Sequence, residues 1–160
     1  MKKIMLVCHG NICRSPMAEM IMKSLAEHSD AELYISSSAT SSEEIYMSVG
    51  NPIYPPAVKK LKEKGIPVEA HFATRLTEED LDKYDLFIGM DNMNIRNMKR
   101  ILGESSEGKI FRLMDFTPRH GEVSDPWYTG DFETCYHDIY EGCLGLLRFL
   151  SQKDGGRGLP

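Results

Sequence analysis

This sequence predicts an α/β fold in which helices cover both faces of a parallel sheet. Three observations lead there. Short apolar runs recur along the chain, each bounded by turn residues, as buried parallel strands do. Between them lie segments with apolar residues at helical spacing. The two kinds alternate, which is the order that right-handed crossovers produce. A chain of 160 residues, 41% hydrophobic and 27% charged, holds one domain with a sizeable core and has ordinary globular composition.

The run Ile4-Met5-Leu6-Val7 makes residues 3–7 the first strand. Ser15 is a good N-cap and Pro16 suits a first helical position, so a helix is expected over 16–27, with Met17, Ile21 and Leu25 on one face. Residues 32–37 form a second short strand that runs into a Ser/Thr-rich loop. Pro55-Pro56 opens a helix that closes at Lys64-Gly65, with lysines in the last turns, where the dipole favours them. Thr77 caps a short acidic helix over 78–83, and residues 85–90 form the third strand. Asp91 caps the next helix, which stops at Lys99-Arg100-Ile101-Leu102-Gly103. Residues 109–113 form the fourth strand. The longest helix is expected over 132–150, with Phe132, Tyr136, Ile139, Cys143, Leu146, Leu147 and Leu150 facing the core. One domain over 1–153 and a flexible Gly-rich tail over 154–160 complete the reading.

The segment between the first strand and the first helix carries the chemistry. It reads Cys8-His9-Gly10-Asn11-Ile12-Cys13-Arg14-Ser15. In open parallel sheets, ligands bind outside the carboxyl ends of the strands. Here a thiol sits at such an end, next to a helix N-terminus whose free N–H groups bind anions. A helix N-terminus also favours thiolate, the nucleophilic form of cysteine. Arg14 stays charged and holds two oxygens at once, which suits a transferring phosphoryl group. Gly10 is expected to allow a tight turn at positive φ and close backbone approach. The Ser15 hydroxyl is within reach of the Cys8 sulfur. Together these residues make a cup for a tetrahedral dianion, with sulfur beneath it.

Other readings of this segment are weaker. Cys8, Cys13 and His9 are too few for structural zinc, and no Cys-x-x-Cys pair completes a site, so no metal or cofactor is expected. The apolar run before Cys8 is too short for a secretory h-region, and Val7 is not the small residue expected before a cleavage site. Without a signal peptide, the default compartment is the cytoplasm, where a reactive thiol stays reduced. No apolar run reaches membrane-spanning length. A formal net charge of −5 argues against a general nucleic-acid binder. A monomer is expected.

A phenol or alkyl leaving group needs a proton, which a nearby carboxylic acid can supply. Asp125, in Asp125-Pro126-Trp127-Tyr128, is the leading candidate. It sits on a loop before the last helix, Pro126 restricts its backbone, and two aromatics follow that suit an aromatic ring. Asp115 and Asp131 are rivals.

Taken together, these segments resemble the low-molecular-weight protein tyrosine phosphatases. The resemblance rests mainly on Val7-Cys8-His9-Gly10-Asn11-Ile12-Cys13-Arg14-Ser15-Pro16-Met17-Ala18-Glu19 and on Asp125-Pro126-Trp127-Tyr128 with Asp131-Phe132-Glu133-Thr134. Weaker agreement at Ser37 to Ser41, Gly50-Asn51-Pro52, Gly65-Ile66-Pro67, His71 and Met90-Asp91 extends it over nearly the whole chain. It implies a four-stranded parallel sheet flanked by helices on both faces, a Rossmann-like three-layer fold. It implies that Cys8 attacks phosphorus to form a phosphocysteine, and that Asp125 protonates the leaving group and then activates water. Arg14 and the amides of His9, Gly10, Asn11, Ile12, Cys13 and Ser15 would hold the phosphoryl group. Asn11 would be kept in a left-handed turn by Ser37 and His71, and Cys13 would match the family's second loop cysteine, which protects the nucleophile through a reversible disulfide. The implied substrate is a phosphotyrosine protein or a small aryl phosphate, with no metal.

The chain departs from the family in places. Glu43 stands where an aromatic cleft wall is usual, Glu44 follows it, and about four extra residues near Tyr46-Met47-Ser48-Val49 precede Gly50. Glu43, Tyr46, Trp127 and Tyr128 are therefore the expected cleft residues, and an acidic lip disfavours acidic phosphopeptides. Arsenate reductase shares the fold but needs further cysteines around positions 80–92, and none lies between Cys13 and Cys135. A non-catalytic phosphate-binding module and a Cys8/Cys13 redox sensor are the remaining alternatives.

Overall fold

The computed structural model describes residues 1–152. The tail expected over 154–160 lies outside them. In chain order the regular elements are β1 (Lys2–Cys8), α1 (Arg14–Glu27), β2 (Leu33–Ala39), β3 (Ile45–Tyr46), β4 (Val49–Gly50), α2 (Pro55–Glu63), β5 (Leu86–Gly89), α3 (Asn92–Leu102), β6 (Ile110–Arg112), α4 (Pro126–Thr129) and α5 (Phe132–Leu150). Short 3-10 turns cover Glu78–Asp82, Glu104–Ser106 and Leu113–Phe116. Four strands form one parallel sheet in the order β2-β1-β5-β6.

β1 is central and buried on both faces, which explains its unbroken apolar run. Its side chains alternate. Ile4, Leu6 and Cys8 join α1, α2 and α5 in the larger core, and Met5 and Val7 join Leu76, Phe87, Met98 and Leu102 in a smaller core on the opposite face. Burying one such aliphatic side chain contributes roughly 1.5–3 kcal/mol. The register pairs Cys8 with Ala39 and Val7 with Gly89, so the strand ends gather at one edge of the sheet. The loops leaving that edge build the site.

The elements match the sequence reading with instructive exceptions. Helix α1 begins at Arg14, not Pro16, and its N-cap is Cys13, with no capping side chain. Ser15 lies inside the first turn because its hydroxyl is engaged with the Cys8 sulfur. The extra residues near Tyr46 are not loop but an antiparallel hairpin, β3–β4, whose turn residues Met47 and Ser48 both have positive φ (49° and 68°), the backbone signature of a tight hairpin turn. The Asp125 loop holds a single helical turn, α4, because the Asp125 side chain caps it at Trp127 N (3.0 Å) and Pro126 supplies a preset φ.

Helix α5 packs closely on the turn after β6 through two glycines. A Cβ at Gly145 would stand 2.0 Å from the Phe116 carbonyl oxygen, and one at Gly142 would stand 2.5 Å from Leu113 Cγ. Replacing Gly145 by alanine raises helix propensity by about 1 kcal/mol. Backbone cannot yield as a flexible side chain does, so overpacking wins by roughly 1–3 kcal/mol. Denaturant titration is therefore expected to show Gly145→Ala less stable than wild type; a more stable variant would mean the helix is free to move away.

Candidate active site

The loop between β1 and α1 curls around the Cys8 sulfur. Its outward carbonyls are tied to neighbouring segments: Cys8 O accepts from Thr40 N (3.0 Å), His9 O from Ser41 N (3.1 Å) and Ile12 O from Tyr54 N (2.7 Å). Two of the loop N–H groups, those of Asn11 and Ser15, turn inward to the sulfur. Three donors approach the sulfur itself: Ser15 Oγ at 3.0 Å, Asn11 N at 3.3 Å and Ser15 N at 3.4 Å. Such donors suit a negatively charged sulfur.

Asn11 shapes the loop. Its φ is 61°, in the left-handed region that asparagine tolerates better than most residues. Gly10, expected to take the positive φ, does not; the turn falls one residue later. Gly10 serves close approach instead, since a Cβ there would lie 3.2 Å from Glu44 Cγ. The buried Asn11 carboxamide donates to Ser15 Oγ (2.8 Å) and Ser37 Oγ (2.9 Å), and accepts from Thr74 N (3.0 Å) and His71 Nε2 (2.9 Å). Both amide protons and both carbonyl lone pairs are therefore used. The Ser37 hydroxyl in turn donates to Glu19 Oε1 at 2.5 Å, and Lys23 Nζ donates to Glu19 Oε2 at 2.7 Å.

Arg14 is 3% exposed and lines the same cleft as Cys8. Its Nη1 donates to Asp91 Oδ2 (2.9 Å) and to the Val123 carbonyl (2.8 Å), and its Nη2 lies 3.5 Å from Asp125 Oδ2. Burial opposes its charge, but Cys8, Asp91 and Asp125 outweigh burial and hold the guanidinium above its ordinary value. Asp91 therefore has two tasks: it caps α3 at Asn94 N (2.8 Å) and orients Arg14. Of the rival acids, Asp115 is paired with Arg112 (2.8 Å) and Asp131 caps α5 at Thr134 N (2.9 Å). Asp125 alone of the three lines the cleft.

That cleft has a volume of about 130 Å³ and is lined by the loop from Cys8 to Arg14 together with Glu43, Glu44, Asp125, Trp127 and Tyr128. Trp127 rests on Tyr54, with ring centroids 4.9 Å apart, and Tyr128 is 85% exposed. Tyr46, expected as a cleft residue, is not one: it lies on the outer hairpin, 79% exposed, because the extra residues fold back on themselves. Among the described residues no cluster of His, Cys, Asp or Glu is arranged to hold a metal, and no helix is long and apolar enough to cross a membrane.

The family model described as low molecular weight phosphotyrosine protein phosphatase matches residues 3–155. The chain belongs to this family. It is 36% identical over 155 residues to the low molecular weight protein-tyrosine-phosphatase YfkJ of Bacillus subtilis, covering 96% of this chain and 98% of that one. The crystal structure of YfkJ matches with a TM-score of 0.87 at 34% identity, covering 94% of both chains. That of SP-PTP, the low molecular weight protein tyrosine phosphatase from Streptococcus pyogenes, matches with a TM-score of 0.83 at 40% identity over 96% of this chain and 95% of that one. The chain is thus a protein tyrosine phosphatase.

Sequence reading had not singled out four groups of this phosphatase site: Glu19, the Arg14-binding role of Asp91, the Val123 carbonyl and Tyr54. Glu19 left a signal, a lone carboxylate amid Met17-Ala18 and Met20-Ile21-Met22 on a buried helix. The Val123 carbonyl left none, since any residue has one. Burial pushes the thiols of Cys13 and Cys143 up, and pushes that of Cys135 up to about 12.

Burial also holds His71 below its ordinary value of 6.5, against the opposing pull of Glu19. The sign of the linkage follows: the unfolded chain takes up this proton at higher pH than the folded phosphatase, so stability is lost as pH falls below 6.5 toward the depressed folded value. Denaturation midpoints measured from about pH 7 down to about pH 5 should therefore fall more for wild type than for His71→Gln. Parallel curves would show that His71 does not couple folding to protons.

Proposed function

We propose that this phosphatase hydrolyses phosphotyrosine and aryl phosphate monoesters through a phosphocysteine intermediate, without a metal ion. The observation that carries this reading is the Cys8 sulfur facing three hydrogen-bond donors at 3.0–3.4 Å, with Arg14 locked over the same loop and Asp125 3.5 Å from Arg14. In the first step the Cys8 sulfur attacks phosphorus. The S–P bond forms, the P–O bond to the phenol breaks, and the Asp125 carboxyl gives its proton to the departing oxygen. In the second step water attacks phosphorus, the S–P bond breaks, and the Asp125 carboxylate takes the water proton. Arg14 and the inward loop amides stabilise charge on the equatorial oxygens in both transition states. Trp127 and Tyr128 flank the leaving ring. As part of the same proposal, residues 1–153 of one chain supply the whole site, and the enzyme acts as a cytoplasmic monomer on phosphotyrosine proteins.

The first test is hydrolysis of para-nitrophenyl phosphate in the presence of EDTA and reductant. Wild type should turn over, and Cys8→Ser should lose turnover while still binding inorganic phosphate. A wild-type rate abolished by EDTA would overturn the metal-free mechanism.

A series of aryl phosphates tests the acid. Asp125→Ala should lower kcat by on the order of 10²–10⁴ with poor leaving groups. The deficit should shrink as the leaving phenol becomes more acidic, and a deficit independent of leaving-group acidity would remove Asp125 from that role.

A further inference from the structure

The mouth of the cleft has one acidic side. Glu43 and Glu44 line it, and Arg14 is the only Lys or Arg among the lining residues. Arg14 is committed to Asp91, Asp125 and the Val123 carbonyl below. His9, the remaining basic group, sits 2.9 Å from Glu43 at the rim, where the Glu43 side chain is 67% exposed. Two carboxylates thus stand against a single imidazole, and the lip is acidic on balance.

Its position is set by backbone as well as side chains. Asn51 N donates to Glu44 O at 2.8 Å, and Asn51 Nδ2 donates to Glu44 Oε1 at 3.0 Å. The Glu44 side chain also abuts Gly10 of the phosphate-binding loop. A polypeptide that places its phosphorylated ring between this lip and the Trp127-Tyr128 wall brings its neighbouring side chains against fixed carboxylates. An acidic neighbour meets like charge there, and a basic one meets a partner for which, among the described residues, no lysine or arginine competes.

We infer that Glu43 and Glu44 are specificity-determining residues that select phosphotyrosine flanked by lysine or arginine over phosphotyrosine flanked by acidic residues. This rests on the phosphotyrosine hydrolysis proposed above. Exposed ion pairs are individually weak and screened by salt. The summed difference between attraction and repulsion at two carboxylates is on the order of tenfold in kcat/KM at low salt.

The experiment compares two phosphotyrosyl peptides, identical except for arginines or glutamates on either side of the phosphotyrosine. Wild type should favour the arginine peptide about tenfold, mostly through KM, and the preference should shrink at high ionic strength. Glu43→Gln and Glu44→Gln should each narrow the ratio, and Glu43→Lys should narrow it further or invert it. Equal kcat/KM for the two peptides, with para-nitrophenyl phosphate still hydrolysed by wild type, would overturn the lip while leaving the phosphatase reading intact. A ratio unchanged in Glu43→Lys and Glu44→Gln would overturn it as well. Failure of wild type on para-nitrophenyl phosphate would instead remove the reading beneath it, and the inference with it.

Discussion

A single side-chain amide holds the loop between β1 and α1 in shape. Asn11 occupies a left-handed conformation that costs a non-glycine residue free energy, and its carboxamide is fully buried. Both conditions are tolerable because every donor and acceptor on that amide is matched, by Ser15, Ser37, His71 and Thr74. An unmatched buried amide would cost about 1–3 kcal/mol, comparable to the strain it would have to offset. The matching also sets direction. Because Ser15 and Ser37 both accept from Asn11, their own protons are free to point elsewhere, one toward the Cys8 sulfur and one toward Glu19. A carboxylate on the buried side of α1 thereby helps to decide which way a hydroxyl points beside the Cys8 sulfur.

Arg14 plays the complementary part on the other side of the loop. Its guanidinium is gripped by a helix cap, a carbonyl and a carboxylate drawn from segments that follow β5 and β6. The three segments meet because parallel strands deliver their following loops to one edge of the sheet. Gripping the side chain from behind removes rotamer freedom that a long flexible cation would otherwise lose on binding an anion. Precision at this residue therefore comes from the topology of the sheet more than from local sequence.

The parts of this site legible in the sequence were the local ones. Cys8, Arg14, Ser15 and Asp125 announce themselves by type, spacing and neighbours, and the strand and helix pattern announces the sheet. Ser37 and His71 became candidates only through the family resemblance, because a strand-end hydroxyl and a half-buried histidine look alike in many folds. The task of Asp91 was hidden behind a second, sufficient explanation as a helix cap. The hairpin at Ile45–Gly50 was missed because Met47-Ser48 lacks the Asn-Gly chemistry that marks tight turns, while its backbone adopts the same left-handed angles. The Ser15 cap failed for a related reason: a good capping residue was already committed to the sulfur.

That failed cap has a consequence. Helix α1 begins at Arg14 with no cap from the Cys13 side chain, and its leading Ser15 amide turns instead to the Cys8 sulfur, so the first turn opens onto the loop. A phosphoryl group held there, as the proposed function requires, would complete the helix as a serine or aspartate does elsewhere. Catalytic complementarity and helix capping are then one set of contacts counted twice. By mass action, an anion at a hundredfold excess over its Kd adds about 2.7 kcal/mol to folding stability. On the proposed mechanism the product, inorganic phosphate, would be in that sense a part of the fold borrowed from solution, and inhibition by it and thermal protection would rise along the same binding curve.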